Sequence, residues 1–482
     1  MTKKIIVLGG GAAGWLTALY LNKVFKKTEI KLIESERIGI LGAGEGSTPQ
    51  LVNFLNYLNI DVLDLIRKTK GTIKNGINFY NWNGDEKKYF HGFGSLNNLN
   101  NFEVKNLFNN GCYIQYLNNC ISNNLNLDHF TYGGLLTDNN KIDLQNQQFS
   151  IHFDAHLIAE YLKKEAIIRG VNRVEGEVES LNKNEKDLIC AVNLKDKSKH
   201  NCDFIFDCSG FKRLVIGKNY KTKWIDYTKH LPMKKAVPFF LKQEESIKPC
   251  THAIAMKYGW IWKIPLQHRF GAGYIYDSNY INEDQALEEA EKKIGLKLES
   301  PRVISFEAGR YEKVWVKNCI AVGLSAGFTE PLEATSLYLS IQQLTLLSHF
   351  KEYLFDATEN KKNNFNKIIE NANEEILDFL YLHYITKRKD SDFWLDFKKN
   401  TVMPNSLKNK LQNLKDYNFM SENFGKGFLF FDVINYMTVS YGLGLLDCEK
   451  VKEFTELKPS LNEYKKIINT QVSKLKTFSE YG

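Results

Sequence analysis

Three glycines near the amino terminus have the spacing of a turn that binds the phosphates of a dinucleotide. The segment GGGAAGW gives Gly9, Gly11 and Gly14 the pattern G-x-G-x-x-G, after the apolar run KIIVL and before an apolar-periodic helix. Such glycines let the backbone approach a pyrophosphate, and helix-terminal amides, here those of Ala12 and Ala13, bind the anion. The segment predicts a dinucleotide site on a buried parallel strand; a purely structural glycine turn is the alternative.

A carboxylate and two later strands indicate which dinucleotide binds. Glu34 ends the next apolar run, twenty residues after Gly14. A carboxylate there accepts hydrogen bonds from ribose hydroxyls and disfavours a 2′-phosphate. Further apolar strands end in small residues at 204–210 and 318–336. Together with the N-terminal motif they make three segments that return to one site, which suits the long FAD molecule better than NAD. The last of these segments supplies the candidate flavin contacts Gly323, Gly327 and Pro331. Because no second G-x-G-x-x-G lies in a βαβ setting, we expect reduced flavin to come from a separate protein.

The run GWIWKIP at 259–265 carries two tryptophans one residue apart. On a strand, Trp260 and Trp262 would face the same side of the sheet. Strand-like segments flank the run, so we expect an antiparallel sheet inserted between the flavin-binding segments. Such a sheet could carry the substrate, and two core tryptophans on a buried sheet face are the alternative.

Composition narrows the class of protein. The chain has 482 residues, 43% hydrophobic and 25% charged, which is ordinary for a globular protein. The formal net charge of +8 is scattered, so no nucleic-acid partner is indicated. The eight cysteines form no C-x-x-C pair and no zinc-spaced cluster, so we expect no metal and reduced thiols in a cytoplasmic protein. No signal peptide and no membrane-spanning apolar stretch are expected.

The fold class expected is α/β, with a Rossmann-like FAD-binding domain of the aromatic-hydroxylase type. Residues 1–340 would form it, with the substrate-facing sheet inserted at about 76–150 and 225–300. Residues 341–482 would form a mainly helical subdomain over the substrate site.

Local signals complete this expectation. Thr48 and Pro49 have the types of an N-cap and a first helical residue, and predict a helix through about Ile66. Residues 152–170 have helical periodicity. The Asn-rich residues 97–146 are expected to be loops over the sheet.

Taken together, these motifs resemble the flavin-dependent tryptophan halogenase family. GEGSTP at 44–49 is similar to the family's strap beside the flavin, which implies flavin contacts by Gly44, Glu45 and Ser47. Segments at 269–280 and 330–336 also fit, as does HYITKRKDSDFW at 383–394, and the likeness runs from residue 5 to about 395. The family signature G-W-x-W-x-I-P is matched by Gly259, Trp260, Trp262, Ile264 and Pro265.

The resemblance implies a mechanism and catalytic residues. Reduced FAD would react with O2 to a C4a-hydroperoxide, halide would attack it, and the resulting hypohalous acid would reach a lysine beside an aromatic substrate. The motif KNGINFYNW identifies this lysine as Lys74, and Glu333 as the partner carboxylate. Thr335 and Ser336 match the halide-binding position. Ala334 and Ser336 depart from the usual Ser and Gly, so we expect bromide or iodide to be used more readily than chloride.

The resemblance also implies a substrate site. His91 and Phe93 match residues that stack on the substrate, and Phe430 or Phe431 would replace a family tryptophan. No loop that would hold the ammonium and carboxylate of an amino acid is recognisable. We therefore expect indole-like or other electron-rich aromatics to react better than free tryptophan.

Three functions remain distinguishable at this point. The leading one is a two-component halogenase that uses FADH2 from a flavin reductase, a halide ion and O2. A flavin-dependent aromatic hydroxylase is the rival enzyme, and a non-enzymatic flavin-binding protein is the third. The small aromatic substrate and the reductase are the expected partners, membranes are not, and a homo-oligomer is left open.

Overall fold

The computed structural model describes residues 2–37, 44–93, 141–142, 149–242, 248–298, 303–416, 423–425, 430–446 and 476–477. The strands are β1 Lys3–Leu8, β2 Thr28–Glu34, β3 Glu45–Gly46, β4 Thr72–Lys74, β5 Gly76–Tyr80, β6 Lys88–Gly92, β7 Lys141–Ile142, β8 Ser150–Phe153, β9 Asn172–Glu175, β10 Val178–Lys183, β11 Ile189–Leu194, β12 Lys199–Asn201, β13 Phe204–Asp207, β14 Trp224–Asp226, β15 Lys235–Leu241, β16 Thr251–Ala255, β17 Gly259–Pro265, β18 Phe270–Tyr276, β19 Ile304–Ser305, β20 Gly309–Tyr311, β21 Trp315–Val316, β22 Cys319–Ala321, β23 Gly327–Phe328 and β24 Lys476–Thr477. The α-helices are α1 Ala12–Val24, α2 Pro49–Tyr57, α3 Val62–Lys68, α4 Ala155–Ile168, α5 Glu283–Ile294, α6 Thr335–Leu347, α7 Glu359–His383, α8 Asp392–Asn400, α9 Asn405–Lys415 and α10 Val433–Gly442.

The chain divides into two compact units, and each is assembled from three stretches of sequence. The first unit comprises Met1–Gly71, Phe153–Leu231 and Phe306–Glu374. The second unit comprises Thr72–His152, Pro232–Ser305 and Glu375–Gly482.

The central sheet of the first unit has the strand order β21-β22-β13-β1-β2-β9. Neighbours from β22 to β9 are parallel, and β21 joins the edge antiparallel. Ile5 to Leu8 in β1 are at most 1% exposed, as expected for an apolar strand covered on both faces. Strand order reverses at β1, and ligands of such sheets bind at the carboxyl ends of the strands beside this reversal. The predicted Rossmann-like start is confirmed.

The main sheet of the second unit has the order β19-β15-β18-β17-β16-β5-β6, so the GWIWKIP strand β17 lies inside it. The antiparallel prediction holds for five of the six neighbouring pairs but is wrong for β16 and β5, which are parallel. A parallel pair needs a long crossover connection. Here the chain leaves after Tyr80 and returns at Thr251, so adjacent motifs in the sequence could not reveal this direction.

The helix expected from Thr48 to about Ile66 is wrong in its length, because two helices occupy this range. Thr48 and Pro49 do start α2, but Asn59 takes the left-handed conformation with φ 56° and ends the helical path. Asp61 then caps α3, and its carboxylate accepts hydrogen bonds from the amides of Leu63 and Asp64 at 2.9 and 3.0 Å. The helix expected within 152–170 is confirmed as α4.

The carboxyl-terminal third of the described chain is mainly helical, as predicted, with α7 to α10 after residue 358. The loops expected at 97–146 lie outside the described residues, apart from β7. Among the residues described, no helix is both long and apolar enough to cross a membrane.

Candidate functional site

The glycine turn of the first unit is built so that side chains cannot fit at two of its positions. Gly9 has φ 115°, and a Cβ there would lie 2.2 Å from the carbonyl oxygen of Cys208. A Cβ on Gly14 would lie 1.9 Å from the carbonyl oxygen of Gly9, so the first turn of α1 packs directly on the loop. A Cβ on Gly11 would meet no described atom within 4 Å. The space beside Gly11 is therefore open where a phosphate would approach.

The amino terminus of α1 completes an anion-binding position. Gly11 is its N-cap residue and has no side chain to satisfy the amides of the first turn. Ala12 and Ala13 are partly exposed. A Cβ on Gly323 would lie 3.0 Å from the Cβ of Ala13, so the turn after β22 lies against the same helix end. These groups could hold the pyrophosphate of a flavin nucleotide.

Glu34 lies beside the glycine turn, because a Cβ on Gly10 would come within 1.6 Å of its Oε2. Arg173 donates to Glu34 at 2.7 Å, and Lys163 lies 3.4 Å from the same carboxylate. Both basic residues were missing from the sequence prediction. Arg173 also donates to Glu36 and Glu175 at 2.7 Å, which accounts for the grouping of three carboxylates here.

Residues 44–47, the predicted strap beside the flavin, contribute buried or partly buried polar groups to the first unit. Gly44 has φ 114°, and Ser47 is buried. Burial, with a smaller contribution from the nearby Asp154, raises the pKa of Glu45 to about 7. A carboxyl group with such a pKa can exchange a proton near neutral pH.

The segment before α6 is a strained turn. Pro331 to Glu333 form one 3-10 turn, and Ala334 follows in the left-handed conformation with φ 55°, which is uncommon for alanine. Ala334 cannot cap α6, so the amides at Thr335 and Ser336 start the helix without a capping side chain. Glu333 is buried at 4% exposure. The hydroxyl of Thr335 is also buried and has no hydrogen-bond partner among the described residues. The helix start could hold an anion.

Lys74 lies in the second unit and is fully buried at 0% exposure. It ends β4, which pairs antiparallel with β8, and its Nζ lies 5.2 Å from the centre of the Phe93 ring. Asn75 follows it and is also fully buried, with neither side-chain amide atom bonded within the described part of the chain. The sequence did not single out Asn75.

A buried imidazole lies on the strand beside Lys74. His152 Nδ1 is 2.9 Å from the hydroxyl of Thr72, and its Nε2 is 2.9 Å from the hydroxyl of Thr251. The hydroxyl of Thr72 donates to the carbonyl oxygen of Pro265 at 2.7 Å. Burial above all, then the charges of Lys74 and His252, hold the pKa of His152 well below its usual value.

Three of the four aromatic residues expected to hold a substrate, His91, Phe430 and Phe431, lie in one cluster in the second unit, and Phe93 lies beside Lys74. His91 Nε2 is 2.9 Å from the side-chain nitrogen of Asn435, and the His91 ring lies 5.3 Å from that of Phe379. Phe431 stacks on Phe379 at 3.7 Å between ring centres, and Phe430 meets Phe431 edge-on at 4.3 Å. Phe379 and Asn435 were not identified from sequence, because nothing local marks them.

The two signature tryptophans have different surroundings. Trp260 is 1% exposed and donates from its indole nitrogen to the hydroxyl of Tyr384 at 3.1 Å, so it is a core residue. Trp262 is partly exposed and lies over Gly273, where a Cβ would come within 2.0 Å of its ring. Their rings meet edge to face at 6.5 Å. The core alternative therefore holds for Trp260.

The fold and the glycine turn define an α/β protein with a Rossmann-like FAD-binding fold. Comparison with known proteins narrows the class. The family model for tryptophan halogenase matches residues 4–459. Tryptophan 7-halogenase RebH of Lentzea aerocolonigenes is 30% identical over 485 residues, covering 92% of this chain and 90% of that protein.

Solved structures agree with this assignment. Tryptophan 6-halogenase SttH of Streptomyces toxytricini has a TM-score of 0.82 and 26% identity, with 99% of both chains covered. BrvH, a flavin-dependent halogenase from Brevundimonas sp. BAL3, has a TM-score of 0.80 and 27% identity, covering 100% of this chain and 98% of that chain. The chain therefore belongs to the tryptophan halogenase family, and it is an enzyme.

Proposed function

We propose that this enzyme is a two-component halogenase that uses FADH2 from a separate flavin reductase, O2 and a halide ion to halogenate an electron-rich, indole-like aromatic. The observation that carries the proposal is Lys74, a fully buried lysine 5.2 Å from the ring centre of Phe93. Burying a charged side chain is costly whatever its role, and an aromatic hydroxylase has no need of a lysine at this position. Family membership supports the same reaction.

Bound reduced FAD, with O2, supplies the oxidising power that converts halide to hypohalous acid. Ala12, Ala13 and the glycine turn bind its pyrophosphate, and the amides at Thr335 and Ser336 hold the halide. Lys74 receives the hypohalous acid, either by donating a hydrogen bond to it, so that its hydroxyl leaves as water when the halogen is transferred, or by forming a haloamine with loss of water. Halogen transfer to the ring releases the aromatic proton, and the family resemblance assigns its acceptance to the Glu333 carboxylate.

A reconstituted assay tests this reaction. The purified chain, a flavin reductase, NADH, FAD, bromide and an indole should give a brominated product by mass spectrometry. Without the reductase the chain should oxidise no NADH. A hydroxylated product that forms equally with and without bromide would favour the aromatic hydroxylase instead.

The aromatic residues of the second unit support an indole-like substrate. His91, Phe93 and the pair Phe430–Phe431 offer rings against which an indole can stack, worth about 0.5–1.5 kcal/mol for each ring pair. No loop recognisable in the sequence would pair with the ammonium and carboxylate of free tryptophan, and unpaired buried charge is costly. We infer that simple indoles react better than tryptophan and that bromide or iodide is used more readily than chloride. Competition of the three halides at equal concentration, on one indole and on tryptophan, checks both statements.

A further inference from the structure

The second unit contains a chain of buried hydrogen bonds that starts two residues before Lys74. It runs from Thr251 through His152 and Thr72 to the carbonyl oxygen of Pro265. His152 is fully buried, and the exposed fractions of Thr72 and Thr251 are 3% and 8%. The proposed reaction uses none of these side chains.

The direction of every hydrogen bond in this chain follows from its last acceptor. A carbonyl oxygen can only accept, so Thr72 uses its single hydroxyl hydrogen on Pro265. Thr72 must then accept from His152, which places a hydrogen on Nδ1. In the neutral ring Nε2 carries a lone pair and accepts from Thr251. Burial disfavours a second proton on the imidazole, and so do the charges of Lys74 on β4 and His252 on β16.

The chain of bonds joins separate strands. Thr72 is on β4 with Lys74, His152 is on the paired strand β8, Thr251 begins β16, and Pro265 ends the signature strand β17. Thr72 and Lys74 face the same side of β4, because side chains two residues apart share a face. The strand that carries Lys74 is three residues long, and it is joined to the large sheet twice: directly to β17 by the Thr72 hydroxyl, and to β16 through His152.

We propose that His152 is a positioning residue, which acts through Thr72 to hold the Lys74 strand in register with the signature strand. This inference rests on the proposed function of Lys74. Its role is to keep the amine where hypohalous acid arrives, and a displacement of about 1 Å can cost on the order of a hundredfold in rate. If the strand shifts, halide is still oxidised, but the oxidised halogen escapes before it reacts with the substrate.

The test uses the whole chain coupled to a flavin reductase and measures two quantities. One is the halogenated indole, and the other is the hypohalous acid trapped by monochlorodimedone, a small reactive diketone. Thr72→Val should lower the ratio of product to trapped acid by about tenfold or more, with oxygen uptake within twofold of wild type. Thr72→Ser, which keeps the hydroxyl, should restore the ratio. If Thr72→Val does not fold, Thr251→Val breaks the Nε2 bond alone and should lower the ratio in the same direction.

Two outcomes overturn the inference. One is an unchanged ratio in Thr72→Val, or in Thr251→Val if the former does not fold. The other is a parallel fall of oxygen uptake, product and trapped acid, which a general loss of folded protein would give. Lys74→Ala separates this failure from that of the proposed function. If Lys74→Ala still forms product, the proposed function is wrong, whereas loss of product in Lys74→Ala with a normal Thr72→Val ratio removes only the role of His152.

Discussion

The two units supply chemistry in different ways. The first offers mainly backbone: the glycine turn before α1 and the uncapped start of α6 present amides to a ligand. The second offers buried side chains, of which Lys74, His152 and His91 are the clearest. Backbone sites depend on where a side chain is missing. Side-chain sites depend on hydrogen-bond networks that keep a polar group in place inside the protein.

Lys74→Ala should give the largest effect. We expect halogenation to fall by about 10²–10⁴-fold, because the group that receives the oxidised halogen is gone. FAD binding and oxygen uptake should stay near wild type, since the glycine turn belongs to the first unit. Mass spectrometry measures product formation, flavin fluorescence measures FAD binding, and an oxygen electrode measures oxygen uptake. The exposed Lys257 in the same unit gives the control Lys257→Ala, which should behave like wild type. Equal losses in both variants would contradict the assignment.

Two alanine substitutions in the glycine turn should separate folding from flavin binding. Gly14→Ala forces a Cβ to within 1.9 Å of a carbonyl oxygen, so we expect loss of both FAD binding and thermal stability. Gly11→Ala meets no described atom within 4 Å and keeps an ordinary φ of −75°, so the protein should fold normally. Its FAD affinity should fall by about tenfold, or about 1.4 kcal/mol, if a phosphate fills this space. Calorimetry and FAD titration distinguish the two variants, and unchanged affinity in Gly11→Ala would move the phosphate elsewhere.

The buried His152 of the second unit should make the stability of the protein depend on pH. Burial, and then the charges of Lys74 and His252, hold the folded pKa of His152 well below its ordinary value of 6.5, so the unfolded chain binds this proton more readily. Stability from this group is complete above about pH 6.5 and falls as pH drops below that value, by at most about 1.4 kcal/mol per pH unit. Glu45 acts oppositely, because its raised pKa favours the folded state as pH drops from about 7.

The quantity to compare is therefore the slope of unfolding free energy against pH in the wild type and in a variant without this imidazole. Denaturant melts of wild type and His152→Phe from pH 8 to 5 should show the flatter decline in the variant. Parallel curves would mean that His152 does not stay neutral in the folded protein.

The smallest effect is expected at the strained turn before α6. Ala334→Gly should stabilise the protein by about 0.5–1 kcal/mol, since glycine adopts the left-handed conformation without steric cost. Ala326, with φ −80° and ψ −38°, is the matched position in ordinary helical conformation. Ala326→Gly should destabilise instead. The two melting temperatures should move in opposite directions, and a shared direction would remove the argument for strain.

This contrast also explains what could be predicted from the sequence. The glycine turn and the GWIWKIP strand are local, so their residue types and spacing reveal them. The bond between His91 and Asn435 and the pairing of residues 72–74 with 150–152 join distant parts of the chain, and no local pattern encodes them. The same reason hid Arg173, which neutralises Glu34 from another strand. Family resemblance pointed to Lys74, but burial and its neighbours came only from the structure.

The parallel pairing of β5 with β16 has a consequence for synthesis on the ribosome. Ile77 must wait for Thr251, its partner in the ladder, before the sheet can close. At about 5–20 residues per second, translation leaves the β5–β6 hairpin with an open edge for roughly 10–30 s. An unpaired apolar edge is a template for aggregation. The growth temperature and the supply of chaperones should therefore affect the soluble yield of this protein more than the stability of the finished fold does.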